Sequence, residues 1–163
     1  MKKIEKIIAA VDFSKYSQNV VDVSVDLAQK LNAELIFVNV INQRDLNAIE
    51  QTLHRLSVSD GSLSISDYID EMMENRREKM KTLLDNAGWE NSKVDHLIFK
   101  KGVPFEQLVK TVHKENADLV VMGNKGRTNI SGVLFGSTAE KMFRHCPVML
   151  LSVREKKANR IIW

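Results

Sequence analysis

Short apolar runs alternate with amphipathic stretches from one end of this chain to the other. Ile4 to Val11 is rich in isoleucine and valine and stops at Asp12. A run of that length, bounded by a polar residue, predicts a buried strand. Ser14 and Ser17 are both candidate helix caps, and Val20, Val21, Ser24, Leu27, Ala28 and Leu31 then line one helical face. Leu35 to Val40 predicts a second strand. Ser66 or Asp67 would cap a longer helix with Ile69, Met72, Met73, Met80, Leu83, Leu84 and Ala87 inward, stopped by Gly88. Val94 to Phe99 predicts a third strand, and Pro104 fits the first turn of a helix carrying Leu108, Val109 and Val112 on one side. Leu119 to Met122 predicts a fourth strand. Thr138 to Arg144 predicts a short helix with Ala139, Met142 and Phe143 inward. Pro147 ends it, and Val148 to Val153 is the fifth strand.

Continuous apolar strands separated by helices imply an α/β fold whose parallel sheet is covered on both faces. The expectation is a single-domain, doubly wound, five-stranded parallel sheet of order 3-2-1-4-5 spanning residues 1–163. The 163 residues suit one domain. Two parts depart from the rhythm. In the insertion 41–66, Leu46, Ile49, Leu53 and Leu56 suit a short amphipathic helix, while serine-rich Val58 to Ser66 reads as a flexible loop. The tail 154–163 ends in Ile161, Ile162 and Trp163, which would dock on the body or on a second subunit.

Charge and composition narrow the chemistry. The net charge is +3, but Lys100 to Trp163 holds 12 Lys and Arg against 5 Asp and Glu, while the first 99 residues hold 12 against 16. The basic C-terminal part favours an anionic ligand. It shows no aromatic interleaving and no nucleic-acid-binding helix motif, which speaks against nucleic acid. One cysteine, Cys146, excludes a disulfide framework and a zinc site built on cysteine pairs. Its place between a helix and a strand favours burial over reactivity. His54, His96, His113 and His145 show no metal-ligand spacing. The seven methionines sit mostly at core spacing and read as packing. No apolar run approaches a membrane span, and Glu5 and Lys6 interrupt any signal-like start, so the expectation is a cytoplasmic protein with no membrane insertion.

The informative segment is Met122-Gly123-Asn124-Lys125-Gly126-Arg127, continuing to Gly136-Ser137-Thr138. Glycines let a backbone approach an anion. Free N–H groups at a helix start point at it with the helix dipole behind them. Ser137 and Thr138 add hydroxyls, and Lys125 and Arg127 could supply charge. The segment is neither a Walker A loop nor a dinucleotide fingerprint. On spacing alone, tight turns explain these glycines as well as a phosphate does. Asp12 ends the first strand and Gly123 the fourth. In a 3-2-1-4-5 sheet those ends meet at the switch point where ligands bind. Asp12 would accept a ribose hydroxyl there, or else cap its own loop. Asp118, at the amino end of the fourth strand, reads as a turn residue.

From Ile4 to Val153 the chain resembles the universal stress proteins. The resemblance rests on Ile7-Ile8-Ala9-Ala10-Val11-Asp12-Phe13-Ser14, on the Gly123-x2-Gly126-x9-Gly136-Ser137 spacing, on Cys146-Pro147-Val148, and on the final strand to Val153. That glycine spacing is the pattern of the family's ATP-binding members. The resemblance implies that Asp12 faces the ribose and the Val40 main chain meets adenine. Gly123 and Gly126 would approach ribose and phosphates, and Gly136, Ser137 and Thr138 would bind phosphates. It also implies a magnesium or manganese ion beside the phosphates and a homodimer through strand 148–153. AMP or a cyclic nucleotide stays open beside ATP. No side chain between Gly123 and Glu140 is clearly placed as a general base, which argues against fast ATP hydrolysis. The expected function is a nucleotide-dependent regulatory or stress-response switch that contacts a protein partner. The alternatives are a dimeric interaction module that binds no nucleotide, and a slow ATPase or phosphotransferase.

Overall fold

The computed structural model describes residues 3–60, 65–89, 97–126 and 135–154. Its elements run β1 (Lys6–Ala10), α1 (Ser17–Leu31), β2 (Glu34–Asn42), α2 (Gln43–Asp60), α3 (Ile65–Asn86), β3 (Leu97–Gly102), α4 (Pro104–Glu115), β4 (Leu119–Gly123), α5 (Ser137–His145) and β5 (Met149–Val153). The strands form one parallel sheet of order β3-β2-β1-β4-β5. This is the doubly wound order expected. In register, Ala10 lies opposite Val38 on one side and Met122 on the other, so β1 and β4 end close together while β2 runs on to Asn42 beside β3.

Strand side chains alternate between two layers, as the pleat requires. Ile7, Ala9, Val11, Phe37 and Val121 pack under α1 and α3, against Val21, Val25, Met80 and Leu84. Ile8, Ile36, Val38, Val120 and Met122 pack under α4 and α5, against Leu108, Val112, Ala139 and Met142. Both layers draw on the central strands, which explains their uninterrupted apolar runs. Asp118 joins the amino ends of β1 and β4. Its Oδ2 accepts hydrogen bonds from the N–H groups of Glu5 at 3.0 Å and Lys6 at 3.1 Å. It lies at the opposite end of the sheet from the crevice, as a structural residue.

Several local expectations change. Residues 58–60 are the last of α2 and residues 65–66 the first of α3, so only residues 61–64 of the expected loop fall outside the described residues. The helix of the insertion is correspondingly longer. It starts directly from β2, with Asp45 in its first turn and a Gln43–Asn47 side-chain hydrogen bond of 2.9 Å one turn along. Serine is a tolerable helix residue, and its abundance did not make a loop here. Neither Ser14 nor Ser17 caps α1 by a side-chain bond; Tyr16 stands at the N-cap. Phe143 is not inward but 69% exposed, rotated away from the fully buried Met142 beside it, and it stacks on Phe135 at 5.8 Å. Leu31 is exposed too. Ile69, Met72 and Met73 are only half-buried, because the core contact of α3 is made by its C-terminal half through Met80 and Leu84. The start of the third expected strand, residues 94–96, and tail residues 155–163 lie outside the described residues.

Candidate functional site

The three central strands end at a cavity of about 550 Å³, within the range of small-molecule sites. Asp12, Val40, Met122, Gly123, Lys125, Gly126, Gly136, Ser137 and Thr138 all line it. The fold thus brings together residues from positions 12, 40 and 122–138, and nine of the expected site residues share one concavity. Asn124 does not line it. It is buried and closes the loop instead, donating its N–H to Val153 O at 3.0 Å and accepting from Gly136 N at 2.9 Å. Arg127 lies outside the described residues.

The loop and helix make one wall. Gly136 takes the N-cap of α5, with φ −71° and ψ 157°, and no side chain caps that terminus. Ser137 and Thr138 begin the helix, so their N–H groups carry the positive end of its dipole. The glycines differ in what they are for. A Cβ on Gly123 would stand 2.9 Å from the backbone oxygen of Lys125, so the fold itself demands glycine there, and one on Gly126 would stand 2.6 Å from Asp12 Oδ2, so a side chain there must displace the Asp12 carboxylate. A Cβ on Gly136 would meet Gly126 N at 3.7 Å and Asn124 O at 3.9 Å, which is ordinary contact. Among the described residues, packing does not require a glycine at 136. A methyl there would instead lie against the Gly126 nitrogen.

Asp12 holds the next corner. Its Oδ1 accepts from Ser14 N at 3.0 Å and Ser17 Oγ at 3.2 Å, so the loop-capping role read from the sequence is present. Its Oδ2 is the atom packed against Gly126. One carboxylate therefore ties the start of α1 to the glycine loop at the cavity wall. Phe13, the next residue, has φ +58°, which is rare and costly for a bulky side chain. That turn carries the chain from β1 out of the sheet toward α1.

Two residues at this wall carried no motif signal. Asn39, 1% exposed on β2, donates through Nδ2 to Val11 O at 2.7 Å and accepts at Oδ1 from Arg76 Nη1 at 2.7 Å. Arg76 comes from α3, lies 5.8 Å over the Phe13 ring, and lines the cavity together with Asp12. A polar residue at the fifth position of the otherwise apolar run Leu35 to Val40 was the available sequence signal for Asn39. Nothing local marked Arg76 among the charges of its helix. Arg44 and Asp45, at the start of α2, line the cavity beyond Val40.

Glu140, the carboxylate nearest the loop in sequence, is exposed on α5 and paired with Arg144 at 3.0 Å. Cys146 is half-buried beneath α5, and burial pushes its thiol pKa up, partly offset by a backbone hydrogen bond from Val148. Among the described residues, no group of three or more His, Cys, Asp or Glu is placed to hold a metal ion. No described helix is long and apolar enough to cross a membrane.

The universal stress protein family model matches residues 3–154, nearly the whole chain. This chain belongs to the universal stress protein family. Universal stress protein MJ0577 of Methanocaldococcus jannaschii is 27% identical over 162 residues, covering 94% of this chain and 97% of that one. Universal stress protein UspA of Lactobacillus plantarum has the same fold, with a TM-score of 0.68 at 18% identity over 94% of this chain and all of that one. A universal stress protein solved in complex with cAMP aligns with a TM-score of 0.55 at 20% identity, over 94% of this chain and 98% of that one. At these identities the two structural likenesses speak for the fold, which the sheet order had already given.

Proposed function

We propose that this universal stress protein binds ATP in the cavity at the ends of β1, β2 and β4, and acts as a nucleotide-dependent switch in a stress response. The observation that carries the reading is Gly136. Among the described residues there is room for a side chain there, yet the position is glycine, at the start of α5, where no side-chain cap bond is made, and beside the Gly126 nitrogen. A bound phosphate would explain both features. Ser137 and Thr138 would donate to the phosphates, with Lys125 and Arg127 adding charge. The Asp12 carboxylate would accept from the ribose, and the Val40 main chain would meet adenine. A magnesium or manganese ion would arrive with the phosphates, held by their oxygens and the Ser137 and Thr138 hydroxyls. It would neutralise phosphate charge.

The universal stress protein solved with cAMP keeps a cyclic nucleotide as the second reading. The donors at the loop bind ground-state phosphates, and uniform binding gives occupancy without rate. Turnover is expected far below the enzyme median of about 10 per second. The test is calorimetry of the purified protein with ATP, AMP and cAMP, with phosphate release followed at saturating ATP. ATP binding with negligible release is the expected result. Absence of nucleotide binding would leave a dimeric interaction module, and release on the order of one per second or faster would make the protein an ATPase.

We also propose a homodimer through β5 and a cytoplasmic location. β5 is an edge strand with Met149 and Leu151 exposed, an arrangement a lone subunit would leave open to aggregation. Leu150 packs inward against α4 and α5, so Leu151 is the position to test. Leu151→Lys should convert a dimer to monomer by light scattering at micromolar concentration; a monomeric wild type would end the idea.

A further inference from the structure

Arg76 is held where the proposed ribose would lie. Met72, Arg76 and Lys79 share one face of α3 by their spacing. The Arg76 guanidinium is anchored by Asn39 Oδ1, faces the Met72 sulfur, and lies over the Phe13 ring. Asn39 is itself fixed by Val11 O, one residue before Asp12. The guanidinium therefore belongs to the same rigid corner as the Asp12 carboxylate.

That corner stands between two cavities. Asp12 and Arg76 line the 550 Å³ site, and both also line a second cavity of about 370 Å³ between the Phe13 turn and α3. Tyr68, Asn75 and Lys79 complete the polar wall of the second cavity, with Glu71 opposing Lys79 in charge. A ribose bound against Asp12 would have this second space beyond its hydroxyls.

We infer that this corner selects adenine nucleotides carrying a phosphomonoester on the ribose, at the 2′ or 3′ position. The inference rests on the nucleotide reading above. A carboxylate alone at the ribose reads free hydroxyls and repels a phosphate, whereas an adjacent arginine accommodates one. A planar guanidinium matches phosphate oxygens in geometry as well as charge. Here the carboxylate and the guanidinium stand together, and the 370 Å³ beyond them, with Lys79 one turn along α3, supplies room and a second cation.

The experiment is calorimetry of the full chain, at one salt concentration, with AMP, adenosine 2′,5′-bisphosphate and adenosine 3′,5′-bisphosphate. One bisphosphate should bind at least tenfold more tightly than AMP, and the preferred isomer identifies the hydroxyl that faces Arg76. Arg76→Met should bring the ratio of bisphosphate to AMP affinity close to one, and Arg76→Lys should restore part of it. Lys79→Met, at an exposed position, should lower the ratio several-fold and keeps the test alive if Arg76→Met does not fold. AMP binding with no preference for either bisphosphate overturns this inference and leaves the nucleotide reading standing. A preference that survives both methionine variants also overturns it. No binding of AMP, ATP or either bisphosphate overturns both.

Discussion

The cavity has two walls built from different materials. One, from β4 to the start of α5, is mostly backbone, glycines and two hydroxyls, with Met122 and Lys125 beside them. The other, from α3 and the end of β2, consists of long side chains: Arg76 anchored on Asn39 and laid over Phe13. A backbone wall binds an anion with groups that every residue carries, so its requirements appear as missing side chains at fixed spacing. A side-chain wall depends on which residues a distant helix happens to present. On the proposed reading, the first wall would serve as a general phosphate site. The second is where members of one fold can differ in what else they accept.

The largest expected effects separate packing from binding within the backbone wall. Gly136→Ala should lower ATP affinity at least tenfold, about 1.4 kcal/mol. It should also leave the ligand-free protein as stable as before or more so by about 0.4–1 kcal/mol, because alanine restricts the unfolded chain at a φ it can adopt. Gly126→Ala should lower both, since its methyl displaces the Asp12 carboxylate from Ser14 and Ser17. Thermal melts with and without ATP, beside calorimetry, read both quantities. If the two alanines behave alike, the distinction between a glycine kept for the fold and one kept for a ligand is lost.

The side-chain wall should fail differently. Asn39→Leu removes an amide that serves two partners, stranding the Val11 carbonyl in the core and releasing Arg76. The expected cost is about 1–3 kcal/mol of stability by denaturant unfolding, the range for a buried polar group left unsatisfied. A change below about 0.5 kcal/mol would show that Asn39 does not hold this corner together.

The smallest effect comes from Cys146, packed against the layer under α4 and α5. Burial raises the Cys146 thiol pKa above that of the unfolded chain, where the thiolate forms more readily. Above the ordinary thiol range the unfolded state therefore binds fewer protons than the native one, and stability falls as pH rises. Cys146→Ala should remove that slope on the alkaline side. A slope unchanged in the variant would assign it to other groups.

Much of this protein was determined by its sequence alone. The five apolar runs and the stops at Asp12 and Gly123 specify strand count, sheet type and the end at which a ligand would sit. These follow from periodicity and local backbone chemistry, which act between neighbours in the chain. The glycine spacing likewise marked the backbone wall, because a residue without a side chain is visible in a string of letters. Local pattern misjudged Phe143, which its helix turns outward, and the serine-rich residues that complete α2 and begin α3. Only the tertiary structure decided that Gly126 is packed by Asp12 while Gly136 is not, and that Arg76 reaches Asn39 across 37 positions. Those facts depend on the packing of α3 and the glycine loop against the sheet, a matter of distances between residues remote in sequence, to which no local rule has access.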